Sequence, residues 1–300
     1  MKKFYILSFS FLACCFYAKA QQKLIISENA NLQLVSDEFE FTEGPAADSL
    51  GNVFFTDQPN NRILKWDAET GEISLFLEDA RRANGLFVDD EGNLLACADE
   101  NFQLIKISPK KQIEVLVGSF KGKNLNGPND LWLDKKGGIY FTDPYYQREY
   151  WEREQPDLQG QNVYYLARGE KDPVIVAKDL KKPNGIIGTA DGKKLYIADI
   201  GDNKTYSYTV SAEGKLTDKT LFVEQGSDGM TIDENGNVYL TGDGVTVYNK
   251  NGEKIEHIKV GEEWTANVTF GGKDQQTLFI TAMDAVYTLK MKLRGTRWQP

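Results

Sequence analysis

Imidazole and thiol groups are nearly absent from this sequence, which has one histidine, His257, and three cysteines, two of them, Cys14 and Cys15, within the first twenty residues. One histidine cannot build a histidine-rich metal site, and a Ser-His-Asp triad would rest on His257 alone, in the alternating strand pattern "GEKIEHIKV". Cys97 lies in "LLACAD", a buried-strand pattern that marks a core thiol rather than a nucleophile, with no partner for an internal disulfide. Long apolar runs are missing too. After the first twenty residues nothing approaches the roughly 18 apolar residues of a membrane helix, so no membrane span is expected. Basic residues are in deficit, 35 Lys and Arg against 44 Asp and Glu, a formal net charge of -9. Such a surface repels nucleic acid and anionic membranes and is compatible with binding a cation. No segment sustains a 3.6-residue amphipathic period, which excludes a fold built on long helices.

What is present begins with a leader. Lys2 and Lys3, an apolar run from Phe4 to Tyr17 and the triplet Ala18-Lys19-Ala20 have the order of a signal peptide. The expectation is a signal peptide at 1-20, cleavage after Ala20, export to the periplasm or medium, and a single domain over 21-300. Lipoprotein anchoring at Cys14 or Cys15 is disfavoured, because the residues before each cysteine fit a lipobox poorly.

Six segments share one layout. They are "EGPAADSLGNVFFTD" from Glu43, "NGLFVDDEGNLLACAD" from Asn84, "NDLWLDKKGGIYFTD" from Asn129, "NGIIGTADGKKLYIAD" from Asn184, "DGMTIDENGNVYLTGD" from Asp228 and "NVTFGGKDQQTLFITAMD" from Asn267. Their starts are 39 to 55 residues apart, the length of a four-stranded blade. In each, a short apolar strand meets a Gly-bearing turn, a strand rich in Val, Ile, Leu, Tyr and Phe runs to an Asp, and two weaker strands follow. The reading is all-β, a six-bladed β-propeller of four-stranded antiparallel blades around a central channel; a solenoid would space its repeats more evenly. The stretch from Lys23 to Phe41 is expected to supply the outer strand that closes the ring. One irregular insert, Pro144 to Gln161, interrupts the pattern.

The first strand of each blade lines a propeller's channel, so the position occupied by Glu43, Asn84, Asn129, Asn184, Asp228 and Asn267 converges on the axis. Every one carries a side-chain oxygen. Each alone is explained as a cap on its own backbone; six at one register, two of them carboxylates, point to a shared ligand. Carboxylate and amide oxygens without thiolate or imidazole suit a hard divalent ion, Ca2+ in the first place, with Mg2+ or Mn2+ admissible and Zn2+ disfavoured.

The motifs "EGPAAD", "GKNLNGPNDLWLD", "GGIYFTDPYY", "KKPNGIIGTADGKKLYIAD" and "SDGMTIDENGNVYL" resemble those of the SMP-30/gluconolactonase/luciferin-regenerating-enzyme group, in order, from about Glu43 to Lys290. The resemblance implies a calcium ion held by Glu43, Asn184 and Asp228, with Asn129 as a ligand or substrate contact, and a metal-dependent hydrolase opening a sugar lactone. Animal members place an arginine two residues before the Asn129 position, where this chain has Gly127. On this reading Asp228 is the catalytic base or nucleophile and the cation polarises the carbonyl. The alternatives are an organophosphate hydrolase on the same site and a non-catalytic, calcium-stabilised propeller that binds a glycan or protein partner.

Topology also returns the second strand of each blade to the metal face, bringing Asp57, Asp99, Asp143, Asp199, Asp243 and Asp284 to the rim. Most are expected to bond loop amides. The insert follows Asp143 directly, so Tyr145, Tyr146, Tyr150 and Trp151 are expected to wall the pocket. The candidate substrate contacts are Asn129, Asn84, Asn126, Asp143, Tyr145 and Tyr146.

Overall fold

The computed structural model describes residues 25–296. The leader at 1-20 lies outside them. Six four-stranded antiparallel sheets follow one another along the chain. Five are contiguous hairpin meanders. The sixth takes three strands from Thr265 to Lys290 and its outer strand, Gln33–Ser36, from the chain's beginning, paired antiparallel to Ala285–Lys290. The closing strand thus falls within the expected stretch, and it ties the first blade's entry to the last blade by backbone hydrogen bonds.

Asx turns fix the hairpins at the end of each blade farther from the rim aspartates. In "DDEGN", Asp89 Oδ1 accepts from the backbone N–H of Glu91 at 2.9 Å and of Asn93 at 2.8 Å. Asp134 and Asp233 repeat the pattern in their own turns. The second strands alternate large apolar side chains that pack between blades, and Phe55, Tyr140, Phe141, Tyr239 and Phe279 are fully buried. Cys97 is buried in this core, as expected. His257 lies on the outer strand Lys254–Ile258, with Nδ1 3.1 Å from Thr246 Oγ1, and so cannot serve a triad at the axis.

The blades meet most tightly beside the axial donors. A methyl group on Gly44 would lie 1.9 Å from the carbonyl oxygen of Asn84, and one on Gly229 would lie 1.9 Å from Cγ of Asn267. Gly85 and Gly185 face the next donor's carbonyl, each at 2.6 Å from the same imagined atom. Glycine after the donor lets neighbouring blades close around the axis. Gly44 also has φ +48, a conformation that strains any side chain. The Gly44→Ala variant is therefore expected to lose more than about 3 kcal/mol, seen as a Tm about 6–12 °C lower, because the obstacle is backbone and cannot rotate away. An unchanged Tm would contradict this packing.

Candidate active site

Glu43, Asn84, Asn184 and Asn267 stand near the start of inner strands, at Thr42–Ala47, Ala83–Val88, Pro183–Gly188 and Thr265–Gly271. Asn129 and Asp228 each lie two residues ahead of the short inner strands Leu131–Leu133 and Met230–Ile232. Buried threonines tie these segments together. Thr56 Oγ1 donates to Asn84 O at 3.2 Å, Thr281 Oγ1 to Asn267 O at 3.2 Å, and Thr241 Oγ1 to Gly229 O and Ala266 O, each at 2.9 Å. Rim aspartates grip the same segments from outside. Asp57 accepts from the N–H of Glu40 and Phe41, Asp143 from Asn126 and Gly127, and Asp199 from Lys181 and Lys182, in each case three and two residues before the donor. These three aspartates bond loop amides, as expected. Asp243 and Asp284 are exposed at turns.

Asp228 Oδ1 accepts from Asn184 Nδ2 at 2.7 Å, and its Oδ2 accepts from Trp264 Nε1 at 2.6 Å. Across the axis, Glu43 Oε2 accepts from Gly44 N at 2.7 Å and from Asn267 Nδ2 at 3.1 Å. Asn267 uses its other end as well, its Oδ1 accepting from Val268 N at 2.8 Å. It is thus a strut for Glu43, with one lone pair of its own oxygen given to the backbone, as Glu43 Oε2 gives one to Gly44. Asn84 Oδ1 is buried with no hydrogen-bond partner, and the Asn129 amide makes no side-chain hydrogen bond among the described residues.

Burial, followed by the charge of Asp228, holds the Glu43 carboxyl well above the usual range. Burial likewise pushes Asp228 up to about 6, against the pull of Trp264, Asn184 and Arg148. Two buried carboxylates repel one another, with an orphaned amide oxygen beside them. That donor set fits a hard divalent cation, which would offset both charges and give Asn84 Oδ1 a partner. Among the described residues no three His, Cys, Asp or Glu side chains converge, so amides must complete any such shell. Below the donors the channel continues as a cavity of about 110 Å³, with Asp130 and Asn267 in its wall and Gly295 and Thr296 at its far end.

The insert reaches over this centre and docks on blade 2. Asp99 is its anchor. Unlike Asp57, Asp143 and Asp199, this carboxylate clamps no donor loop; it accepts from Arg148 Nε at 2.8 Å, from Gln58 Nε2 at 3.0 Å and from the Tyr150 hydroxyl. Trp151 Nε1 donates to Asp99 O at 3.0 Å, and the Trp151 ring would lie 3.0 Å from a methyl group on Gly127. The indole thus occupies the space a side chain at 127 would need. Tyr146 meets the donors directly, its hydroxyl accepting from Asn184 Nδ2 at 3.0 Å. Burial, then the charges of Asp228 and Glu43, raise its pKa, so the phenol stays protonated.

Residues 41–284 match the family described as the SMP-30/Gluconolactonase/LRE-like region. The chain belongs to this family. A gluconolactonase of Zymomonas mobilis is 29% identical over 303 residues, covering 90% of this chain and 84% of the relative. A lactonase of Staphylococcus haemolyticus is 25% identical, covering 75% of this chain and 71% of its own length. Among solved structures, a Xanthomonas campestris gluconolactonase superposes with a TM-score of 0.82 at 28% identity, covering 89% of this chain and 91% of its own.

For this SMP-30/gluconolactonase-like chain, the structure gathers Glu43, Asn84, Asn129, Asn184 and Asp228 at the axis, with Tyr146 above. Asp143 and Asn126 sit beneath the wall, both fully buried; Asn126 Nδ2 donates to Asp143 O and Gly160 O, each at 3.0 Å. Neither has a face on the mouth, and the bonds both make are to the backbone beneath the wall. Tyr145 packs sideways, its ring 5.8 Å from Trp151. Sequence reasoning missed Trp264 and Arg148. Trp264 stands three residues before Asn267, the register at which other blades offer a clamped N–H, and an aromatic in the polar run "GEEWTAN" was the available signal.

The raised carboxyls set the pH response. Asp228, Glu43, and Asp130 and Asp143 at about 7 each, hold protons in the folded state that the unfolded chain has released. Stability of the metal-free protein therefore falls as pH rises from about 4 to about 7. Asp202, lowered to about 2 by Lys181 and Lys204, acts with the opposite sign, but below that window. Thermal unfolding in chelator should show Tm declining across this range, and calcium should flatten the decline; a rising Tm would contradict it.

Proposed function

We propose that the protein is a calcium-dependent lactonase that hydrolyses a sugar lactone to its hydroxy acid. The observation that carries the proposal is the line Tyr146–Asn184–Asp228 set beside Glu43 on the axis, under a lid. Relatives named gluconolactonase and lactonase support it. Glu43, Asn129, Asn184 and Asp228 would hold the cation, with Asn84 facing the same space. When bound, calcium would supply Lewis-acid polarisation of the lactone carbonyl and charge to oppose the oxyanion.

Asp228 is the general base. Its carboxylate is fixed by N–H groups on both oxygens, from Asn184 and Trp264, and its raised pKa keeps it a useful proton acceptor near neutrality. It takes a proton from the water whose oxygen bonds to the carbonyl carbon. The ring C–O bond then breaks, and the same proton passes to the leaving oxygen. Tyr146 accepts from Asn184, which leaves its O–H to donate to a substrate oxygen. The insert excludes bulk water. Export through the leader at 1-20 belongs to the same proposal.

Proton release from a panel of aldonolactones tests it. Turnover should require calcium, stop in chelator and return when calcium is restored. Turnover of a phosphotriester alone would point to an organophosphate hydrolase; no turnover, with a glycan or protein bound instead, would point to a binding propeller.

A further inference from the structure

Two cations stand at the mouth of a site otherwise built from acids and amides. Lys182 Nζ lies 4.4 Å from the Tyr146 ring centroid, and Arg148 Cζ lies 5.8 Å from it. Both are half-buried. The backbone of Lys182 is fixed, its N–H donating to Asp199 Oδ1 at 2.8 Å, but its ammonium has no carboxylate partner among the described residues. Arg148 is held at Nε by Asp99, which is only 2% exposed and is itself fixed by Gln58 and Tyr150. The terminal nitrogens of that guanidinium make no hydrogen bond among the described residues. Its charge reaches the centre, for it draws the Asp228 carboxyl downward.

The Tyr146 hydroxyl touches Asn184, so its ring spans from the reacting centre to these cations. A substrate lying along that ring, with its carbonyl at the axis, presents its far end to them. A chain with a formal net charge of -9 gains nothing general from two cations here. Their local use is complementarity: a guanidinium fork with open donors suits a planar or tetrahedral oxyanion, and an unpaired ammonium adds a point charge. Arg82, whose guanidinium stacks 4.1 Å from the Tyr150 ring, adds a third positive charge, felt by the Asp99 carboxylate that Arg148 also binds. The acids of the insert, Glu149, Glu152, Glu154 and Asp157, are exposed and oppose this field only through solvent.

We infer that the lactone carries an anionic group, a carboxylate or a phosphate, at the end away from its reacting carbonyl, bound between Arg148 and Lys182. This rests on the lactonase reading. Arg148 and Lys182 are specificity-determining residues in this scheme, acting on KM more than on kcat.

Steady-state kinetics with calcium, using gluconolactone as the neutral probe and glucarolactone and phosphogluconolactone as the anionic ones, test the inference. At least one anionic lactone should exceed the neutral one in kcat/KM by about ten-fold or more, and whichever wins identifies the group. Lys182→Gln and Arg148→Gln should each lower the anionic-to-neutral ratio about ten-fold, and Lys182→Arg should preserve it. Equal use of all three lactones, or equal losses on anionic and neutral substrates in both variants, would overturn the inference. If no lactone is opened, the lactonase reading fails, and calorimetry with glucarate against glucitol decides the rest. Preferential glucarate binding that Lys182→Gln abolishes supports the anion site; equal or absent binding overturns it.

Discussion

Asp228→Asn is expected to lower kcat for lactone opening by at least about a thousand-fold at saturating calcium, while the protein stays folded. The variant keeps shape and one acceptor oxygen, so either Asn184 or Trp264 retains its hydrogen bond. It loses the capacity to take a proton. Leaving the other donor unpaired costs about 1–3 kcal/mol. Against that, the change removes one of two mutually repelling carboxylates, and Glu43 no longer feels the Asp228 charge. Without metal at neutral pH, the variant should be about as stable as the parent and less sensitive to pH. A loss of activity accompanied by unfolding would be uninformative from the kinetics alone, so circular dichroism accompanies the assay. Retention of more than about a tenth of the parent kcat would remove Asp228 from the role of base.

Glu43→Gln is expected to weaken calcium binding by about a thousand-fold, the equivalent of about 4 kcal/mol for one charge lost near the cation. The glutamine oxygen can keep the bonds from Gly44 and Asn267, so the backbone of the first blade need not move. Its amide nitrogen then faces the axis and donates where a carboxylate oxygen would accept. Activity should return in part at high calcium, because Asp228 is intact. This separates the two variants: Glu43→Gln should be rescued by metal, and Asp228→Asn should not. Calorimetric titration that found parental affinity would place the cation elsewhere.

Much of this architecture is legible in the sequence, because propeller blades repeat both their turns and their axial donors. Asp-x-x-Gly turns recur in four blades and an apolar strand ending in Asp in all six, and that repetition carried blade number, closure and donor register. Less visible was the division of labour inside the ring. Glycine follows Glu43, Asn84, Asn184 and Asp228, but Asp130 follows Asn129 and Val268 follows Asn267. What the register did not show is that Asn267 serves Glu43, its Nδ2 donating to Glu43 Oε2 while its oxygen accepts from Val268 N. Asp130 instead spans blades, its carboxylate accepting from Leu131 N at 2.9 Å and Ile186 N at 3.3 Å. The insert was legible as an aromatic wall but not in its docking. It lies outside the repeat, and its anchor, Asp99, is a buried rim aspartate that departs from the clamp made by Asp57, Asp143 and Asp199. Only the fold brings Arg148 to it. Gly127 reads as a missing arginine in the sequence and as room for Trp151 in the structure.

Terbium luminescence excited through tryptophan tests the central claim most directly, since Trp264 Nε1 lies 2.6 Å from Asp228 Oδ2 and terbium takes oxygen shells like those of calcium. The account predicts sensitised emission that saturates at one ion per chain, is displaced by calcium, and is lost in Trp264→Phe and in Glu43→Gln. Emission that persists in both variants, or none in the parent protein while calcium still binds, would contradict a cation held between Glu43 and Asp228.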